Sequence, residues 1–140
     1  MNKKYNIYLA GGMSNIPFSV ADSWRNNISN RFTSYDSSIQ LINPNFYYNT
    51  LNPASYDSER EVREFDLYKV RNSDLIIVNF NDPNSIGTAQ ELAIAAEYRI
   101  PVIGLNERNL NLHPWLIECC NKIFKDMGRL VEYVYEYYLT

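Results

Sequence analysis

Asp74-Leu-Ile-Ile-Val-Asn-Phe80 and Ile86-Gly-Thr-Ala-Gln-Glu91 are the two stretches that decide the fold of this chain. The first is a continuous apolar run, typical of a parallel strand that is buried on both faces. A polar loop follows it, and the second stretch then leads into a predicted helix over Ala89–Tyr98. In open α/β sheets, ligands bind outside the carboxyl ends of the strands, where helix N-termini also point. Glu91, expected in the first turn of this helix, is therefore predicted to lie where such a fold binds its ligand.

Glu91 also has a purely structural interpretation. Thr88-x-x-Glu91 matches a capping box, in which Thr88 accepts from the amide of Glu91 and Glu91 reaches back to the amide of Thr88. A carboxylate in the first turn of a helix also complements the helix dipole, by roughly 0.3–1 kcal/mol. On spacing alone, a cap and a functional carboxylate both remain open.

Composition limits the class of protein. With 140 residues, 46% apolar and 21% charged, the chain is typical of one soluble globular domain, and we predict a single cytoplasmic domain over residues 1–140. No apolar run approaches the roughly 20 residues of a membrane helix. A net charge of −3 with scattered basic residues argues against a nucleic-acid partner. Cys119 and Cys120 are adjacent and His113 is the single histidine, so we expect reduced cysteines and no metal site.

Strands and helices alternate along the chain. Besides the opening pair, the patterns predict strands at Tyr5–Ala10, Gln40–Asn43, Ile100–Leu105 and Lys122–Phe124, and helices from Ser19-x-x-Asp22 to about Arg31, from Ser58-x-x-Glu61, over Pro114–Cys119 and over Met127–Leu139. This alternation predicts right-handed βαβ units. We expect a flavodoxin-like α/β fold, with a mostly parallel sheet of four or five strands and helices on both faces. Residues 45–57 lack a period and are expected to form a lid or binding loop.

Polar residues are expected to gather at the carboxyl edge of this sheet. Tyr8 and Ser14 belong to the first strand and its loop, Asp66 to the second helix and Glu91 to the third. The glycines of the first loop allow a ligand to approach the backbone, but G-x-G-x-x-G and a P-loop lysine are missing, so no nucleotide cofactor is expected. Tyr8 also suits a buried core position, and Asp66 an exposed ion pair with Lys69.

Taken together, the motifs resemble the nucleoside 2-deoxyribosyltransferase family. They are Tyr8-Leu-Ala-Gly-Gly12, Asp66-x7-Asp74, and Gly87-Thr-Ala-x-Glu91 followed by Pro101-Val-Ile, in family order over most of the chain. In that family the glutamate attacks C1′ of a 2′-deoxynucleoside, the base leaves, and a second base takes its place. The resemblance implies that Glu91 is the nucleophile, Asp66 binds and protonates the base, and Tyr8 orients the glutamate. It implies no cofactor.

The resemblance also implies substrate contacts, at Gly11, Gly12, Ser14, Ser85, Gly87 and Asn111. Asn111 resembles an asparagine that a neighbouring subunit contributes, which implies a homo-oligomer with shared active sites. Trp115 is then expected either to anchor that interface or to pack under the last helix. The sequence departs from the family at Ser85, because many members carry an aspartate six residues before the nucleophile.

Three functions remain open from the sequence. The leading one is deoxyribosyl transfer between nucleobases, with small-molecule nucleosides or nucleotides as substrates. The second is a hydrolase resembling deoxynucleoside 5′-monophosphate N-glycosidases, for which Gly11, Gly12, Ser14 and Arg25 are available as a phosphate cradle. The third is a non-catalytic nucleotide-sensing module that keeps the pocket.

Overall fold

The computed structural model describes residues 4–34, 36–46 and 57–139, with only the backbone of residue 46. Its elements, in chain order, are β1 (Tyr5–Gly11), α1 (Phe18–Thr33), β2 (Ile39–Ile42), a short 3-10 helix (Pro44–Phe46), α2 (Glu59–Arg71), β3 (Leu75–Asn79), α3 (Ile86–Glu97), β4 (Val102–Leu105), α4 (Pro114–Glu118), β5 (Lys122–Phe124) and α5 (Met127–Tyr138). Within these residues, the five strands form one sheet of order β2-β1-β3-β4-β5, and each neighbouring pair is parallel. The predicted flavodoxin-like α/β fold is confirmed.

The side chains of β1 alternate between the two faces of the sheet. Ile7 and Leu9 pack into a core with α1 and α5, whereas Tyr8 and Ala10 pack into a second core with α2, α3 and α4. Because successive strand residues point to opposite faces, this register places the Tyr8 side chain on the same face as α3. The alternation thereby brings Tyr8 and Glu91 to the same side of the sheet.

The start of α1 differs from the prediction. A cap at Ser19 was wrong: the helix begins at Phe18, directly after Pro17, and continues to Thr33. The fixed φ of proline suits a helix start, and the carbonyl of Pro17 accepts from the amides of Val20 and Ala21. Asp22 is thus free of a capping role, and its carboxylate accepts instead from the side-chain amides of Asn26, Asn43 and Asn45.

The start of α3 also differs, and here the difference bears on function. Ser85 is the N-cap, since its hydroxyl oxygen accepts from the amide of Thr88 at 3.2 Å and from the Thr88 hydroxyl at 2.9 Å. The predicted Thr88–Glu91 capping box is therefore wrong, and the helix begins at Ile86, three residues earlier than expected. Glu91 lies in the second turn, where its carboxylate has no helix amide to cap.

The other boundaries shift by a residue or two. Ser58 caps α2 and Asp126 caps α5 as predicted. The strand expected over Gln40–Asn43 lies one residue earlier, and the strand expected from Ile100 begins at Val102. Most of the predicted lid, residues 47–56, lies outside the described residues. In the described part of the chain, no helix has the length and hydropathy to cross a membrane.

Candidate active site

The carboxylate of Glu91 is the buried acidic group at the carboxyl edge of the sheet. Only 9% of the residue is exposed, and its Oε2 accepts a hydrogen bond from the hydroxyl of Tyr8. Tyr8 itself is fully buried on β1, an interior strand of the sheet. Tyr8 and Glu91 are both held in place: β1 pairs with β2 and β3 on its two sides, and Leu92 and Ala95 anchor α3 in the core. The hydroxyl of Tyr8 thus fixes the orientation of the glutamate.

The environment of Glu91 alters its protonation. The pKa of the Glu91 carboxyl is raised from 4.5 to about 8. Burial is the largest cause, the hydrogen bond from Tyr8 lowers the pKa, the charge of Asp66 raises it and the charge of Arg25 lowers it. Burial and the neighbouring Glu91 charge together hold the pKa of Tyr8 well above its usual value, so Tyr8 remains a donor. A carboxyl group in a cleft whose pKa lies near neutral pH is typical of functional sites.

A cavity of about 850 Å³ opens above this pair, large enough for a nucleoside-sized ligand. Its walls come from the loop after β1, the first turn of α1, the 3-10 helix, α2 as far as Leu67, and the loop and first turns of α3. The polar and charged side chains in its lining are Ser14, Asn15, Asn45, Glu59, Arg63, Asp66, Asp82, Asn84, Ser85, Thr88, Gln90 and Glu91. Asp66, half-buried on α2, thereby shares the cavity with Glu91, as the sequence predicted.

The predicted substrate contacts divide into two groups. Gly11, Ser14, Ser85 and Gly87 line the cavity, and at Gly87 a methyl group would meet no atom within 4 Å. Gly12 does not line it: its amide donates to Asn81 Oδ1 at 2.9 Å, and a Cβ there would lie 2.6 Å from the Cβ of Asp82. The role of Gly12 is close packing of the first loop against the loop after β3.

Asn111 does not line the cavity of its own chain. It is exposed on the loop before α4, and the next exposed side chains along the chain include Trp115 (79%) and Ile117 (46%). The alternative in which Trp115 packs under the last helix is therefore wrong. His113 caps α4, because its Nδ1 accepts from the amide of Trp115 at 3.1 Å.

Arg25 is a residue that the sequence analysis placed wrongly. As part of a phosphate cradle it would need to line the cavity, yet it is fully buried and donates to the carbonyls of Leu9, Ala21 and Gly11. The signal was present in the sequence, since Arg25 interrupts the apolar stripe of α1 formed by Ala21, Trp24 and Ile28.

Solved structures with the same fold cover almost the whole chain. The 2-deoxyribosyltransferase of Bacillus psychrosaccharolyticus superposes with a TM-score of 0.72 at 18% identity, covering 91% of each chain. The 2-deoxyribosyltransferase of Leishmania mexicana gives 0.68 at 17% identity, covering 96% of this chain and 99% of that one. This chain has the deoxyribosyltransferase fold.

The same fold also occurs in a hydrolase. The CMP N-glycosidase of Clostridium botulinum gives a TM-score of 0.57 at 17% identity, covering 94% of this chain and 98% of that one. No protein-family model and no curated protein sequence matches the chain. At such identities the likeness concerns the fold, so the chemistry has to be argued from the site.

Proposed function

We propose that this chain cleaves the N-glycosidic bond of a 2′-deoxynucleoside and transfers the 2-deoxyribosyl group to a second nucleobase. The observation that carries the proposal is the buried carboxylate of Glu91, oriented by the Tyr8 hydroxyl in a cavity that it shares with Asp66. A buried, oriented carboxylate beside a second carboxyl group is what nucleophilic substitution at an anomeric carbon requires.

The reaction has two half-reactions at C1′. First, a carboxylate oxygen of Glu91 bonds to C1′ while the C1′–N bond breaks, and its electron pair leaves with the base, which takes a proton delivered from Asp66. Next, a nitrogen of the acceptor base bonds to C1′, the bond between C1′ and the Glu91 oxygen breaks, and its electron pair returns to Glu91 while the acceptor gives a proton back to Asp66. Two inversions give net retention. Proton donation by a placed carboxyl group contributes about 10²–10⁴-fold.

The charge of the cavity favours an uncharged nucleoside. Among the described residues, its lining holds four acidic residues, Glu59, Asp66, Asp82 and Glu91, and one basic residue, Arg63. Arg63 lies at an exposed position, where it donates to Gln90 at 2.8 Å and pairs with Glu64 at 3.2 Å. The stretch 47–56 contains no lysine or arginine to add to the lining. A phosphate group would meet repulsion from these carboxylates.

One observation favours the hydrolase as a second candidate. Ser85 occupies the position where many deoxyribosyltransferases carry an aspartate, and it lies in the cavity lining at the N-terminus of α3. Its oxygen accepts both contacts from Thr88, so its hydroxyl proton remains available to a ligand. A serine hydroxyl at a helix N-terminus suits a phosphate better than a carboxylate does. In that case the donor is a 5′-monophosphate and water is the acceptor.

We further propose that the active protein is a homo-oligomer. Trp115 and Ile117 are exposed apolar side chains on α4, close in sequence to Asn111, which does not line its own cavity. Aromatic residues are enriched at the centres of protein interfaces. If the oligomer shares its active sites, Asn111 is the residue that we expect one subunit to contribute to the cavity of its neighbour.

The experiment compares two donors with and without an acceptor. A 2′-deoxynucleoside or its 5′-monophosphate is incubated with the protein, alone or with a second nucleobase, and the products are separated by chromatography. Transfer predicts a new nucleoside that forms only when both the unphosphorylated donor and the second base are present. Release of free base from the monophosphate alone supports the hydrolase. Turnover of neither donor would refute both activities and leave the nucleotide-sensing module.

A further inference from the structure

Arg25 is a buried cation without a direct counter-ion. Its side chain is fully buried between α1 and the carboxyl end of β1, and its guanidinium donates to the carbonyls of Leu9 at 3.2 Å, Gly11 at 3.2 Å and Ala21 at 2.6 Å. In the part of the chain that the structure describes, no carboxylate forms an ion pair with it. Removing an arginine from water is costly, and neutral carbonyls offset that cost only in part.

The charges that surround Arg25 come from the active site. Burial lowers the pKa of Arg25, whereas its interactions with Glu91, Tyr8, Asp22 and Asp66 raise that pKa. Three of these four groups are the proposed catalytic residues, on β1, α2 and α3. An arginine side chain does not lose its proton in a protein, so this positive charge is permanent.

We propose that Arg25 is a positioning residue that favours the ionised form of the Glu91 carboxylate and favours its release from the glycosyl ester. It acts in two ways: through its charge, and through its hydrogen bonds to β1 on either side of Ala10, which hold the strand that carries Tyr8. It does not touch substrate, since it does not line the cavity. This inference rests on the proposed function, in which Glu91 is the nucleophile.

The charge of Glu91 changes during the proposed reaction, whereas the charge of Arg25 does not. Glu91 carries one negative charge as the free carboxylate and none as the ester, while Arg25 stays positive throughout. The ester state therefore leaves a buried cation unbalanced, and the second half-reaction, which returns an electron pair to the carboxylate, restores the balance. The effect of Arg25 on breakdown of the ester is the same whether water or a second base is the acceptor.

Several other groups face Glu91, and their effects differ from that of Arg25. The Tyr8 hydroxyl favours the ionised form by donating to it, and Asp66 on α2 opposes ionisation by like charge. Glu59 and Asp82, which line the cavity, add negative charge. Arg63, the basic residue in the described part of the lining, is exposed and donates hydrogen bonds to Gln90 and Glu64. Within the described residues, Arg25 is thus the buried cation that favours the ionised nucleophile.

The test compares Arg25→Gln, which keeps amide donors and loses the charge, with Arg25→Lys, which keeps the charge and loses the planar fork. Removing a unit charge that interacts with a buried carboxylate shifts the pKa of that carboxylate by about one to two units at an effective dielectric constant near 20. We expect Arg25→Gln to move the acid limb of kcat/KM upward by about one to two pH units, a loss of about 10–100-fold at pH 6 that largely recovers at pH 9.5. Arg25→Lys should keep the limb in place. Arg31→Gln, which removes an exposed arginine from the same helix, is the control.

A second measurement keeps the proposal testable if Arg25→Gln folds poorly. The free energy of unfolding at pH 9 is compared for Arg25→Gln in the wild-type and Glu91→Gln backgrounds. We expect the substitution to destabilise the wild-type background more, by at least about tenfold in the folding constant, because only there does it leave a buried carboxylate without its cation. If Arg25→Gln folds only when it is combined with Glu91→Gln, that result supports the proposal as well.

Two results would overturn the proposal. One is an equal loss of kcat/KM at every pH in both Arg25 variants, and the other is equal destabilisation in both backgrounds; either would make Arg25 a structural support for β1. A Glu91→Gln protein that retains turnover would instead refute the proposed function, and the stability comparison would still measure the coupling of Arg25 to Glu91.

Discussion

Replacing Glu91 by glutamine should change stability in a way that depends on pH. The pKa of Glu91 is raised from 4.5 to about 8 by burial, so between these values the folded protein holds a proton that the unfolded chain has released. The stability that this proton contributes is fully present below about pH 4.5 and is lost as the pH rises through about 8. Glutamine stays neutral and still accepts from the Tyr8 hydroxyl, so Glu91→Gln avoids this loss.

The magnitude follows from the size of the shift. Each pH unit within the window corresponds to about 1.4 kcal/mol, which gives a total of about 3–5 kcal/mol between pH 4.5 and 8. We expect Glu91→Gln and the wild type to be about equally stable near pH 5, and the variant to be more stable by several kcal/mol at pH 8.5. Urea unfolding at half-unit pH intervals, followed by circular dichroism, measures the difference.

A matched control comes from the same helix. Glu97→Gln removes an exposed glutamate near the end of α3, so it reports the effect of losing a carboxylate from that helix without touching the cavity. The reasoning would be refuted if the stability difference between Glu91→Gln and the wild type stayed constant from pH 5 to pH 8.5. A variant less stable than the wild type at pH 8.5 would refute it as well.

Three further predictions concern neighbouring residues. Tyr8→Phe removes the donor that lowers the pKa of Glu91, so the acid limb of kcat/KM should move upward and activity at pH 7 should fall about 10–100-fold; an unchanged profile would remove Tyr8 from the site. Asp66→Asn removes a like charge, so it should move the acid limb of kcat/KM downward. It also removes the proton donor, so kcat should fall about a hundredfold or more, and a normal kcat would show that Asp66 is only a surface residue. Mixing inactive Glu91→Gln with inactive Asn111→Ala should restore part of the activity if sites are shared between subunits. A monomer by light scattering, or no rescue after confirmed subunit exchange, would contradict sharing.

The sheet was predictable because its signals are local. The continuous apolar run before Phe80 and the strand–helix alternation fix a parallel sheet, and Ser58 and Asp126 cap their helices as their spacing indicates. The start of α3 was less predictable because both Ser85 and Thr88 suit a cap position. Which of them caps the helix depends on how the loop after β3 packs against Gly12, and that contact joins distant parts of the chain.

The candidate site was predictable in its members and not in its electrostatics. Tyr8, Asp66 and Glu91 were singled out from motif and spacing, and the structure brings all three to one cavity edge. The position of Arg25 in the apolar stripe of α1 indicates its burial, but its hydrogen bonds to the carbonyls of β1 depend on tertiary packing. Asn111 lies outside its own cavity, and a single sequence does not specify the surface that completes it.

The covalent intermediate is the most direct test of the central claim, that Glu91 is the nucleophile. The protein is mixed with a 2′-deoxynucleoside without an acceptor base, quenched in acid within milliseconds to seconds, digested with trypsin and analysed by mass spectrometry. The account predicts the mass of one deoxyribosyl group on the tryptic peptide of residues 72–99, which carries Glu91, and none on the same peptide of Glu91→Gln. A deoxyribosyl group on another peptide, or turnover without any adduct on this one, would contradict it.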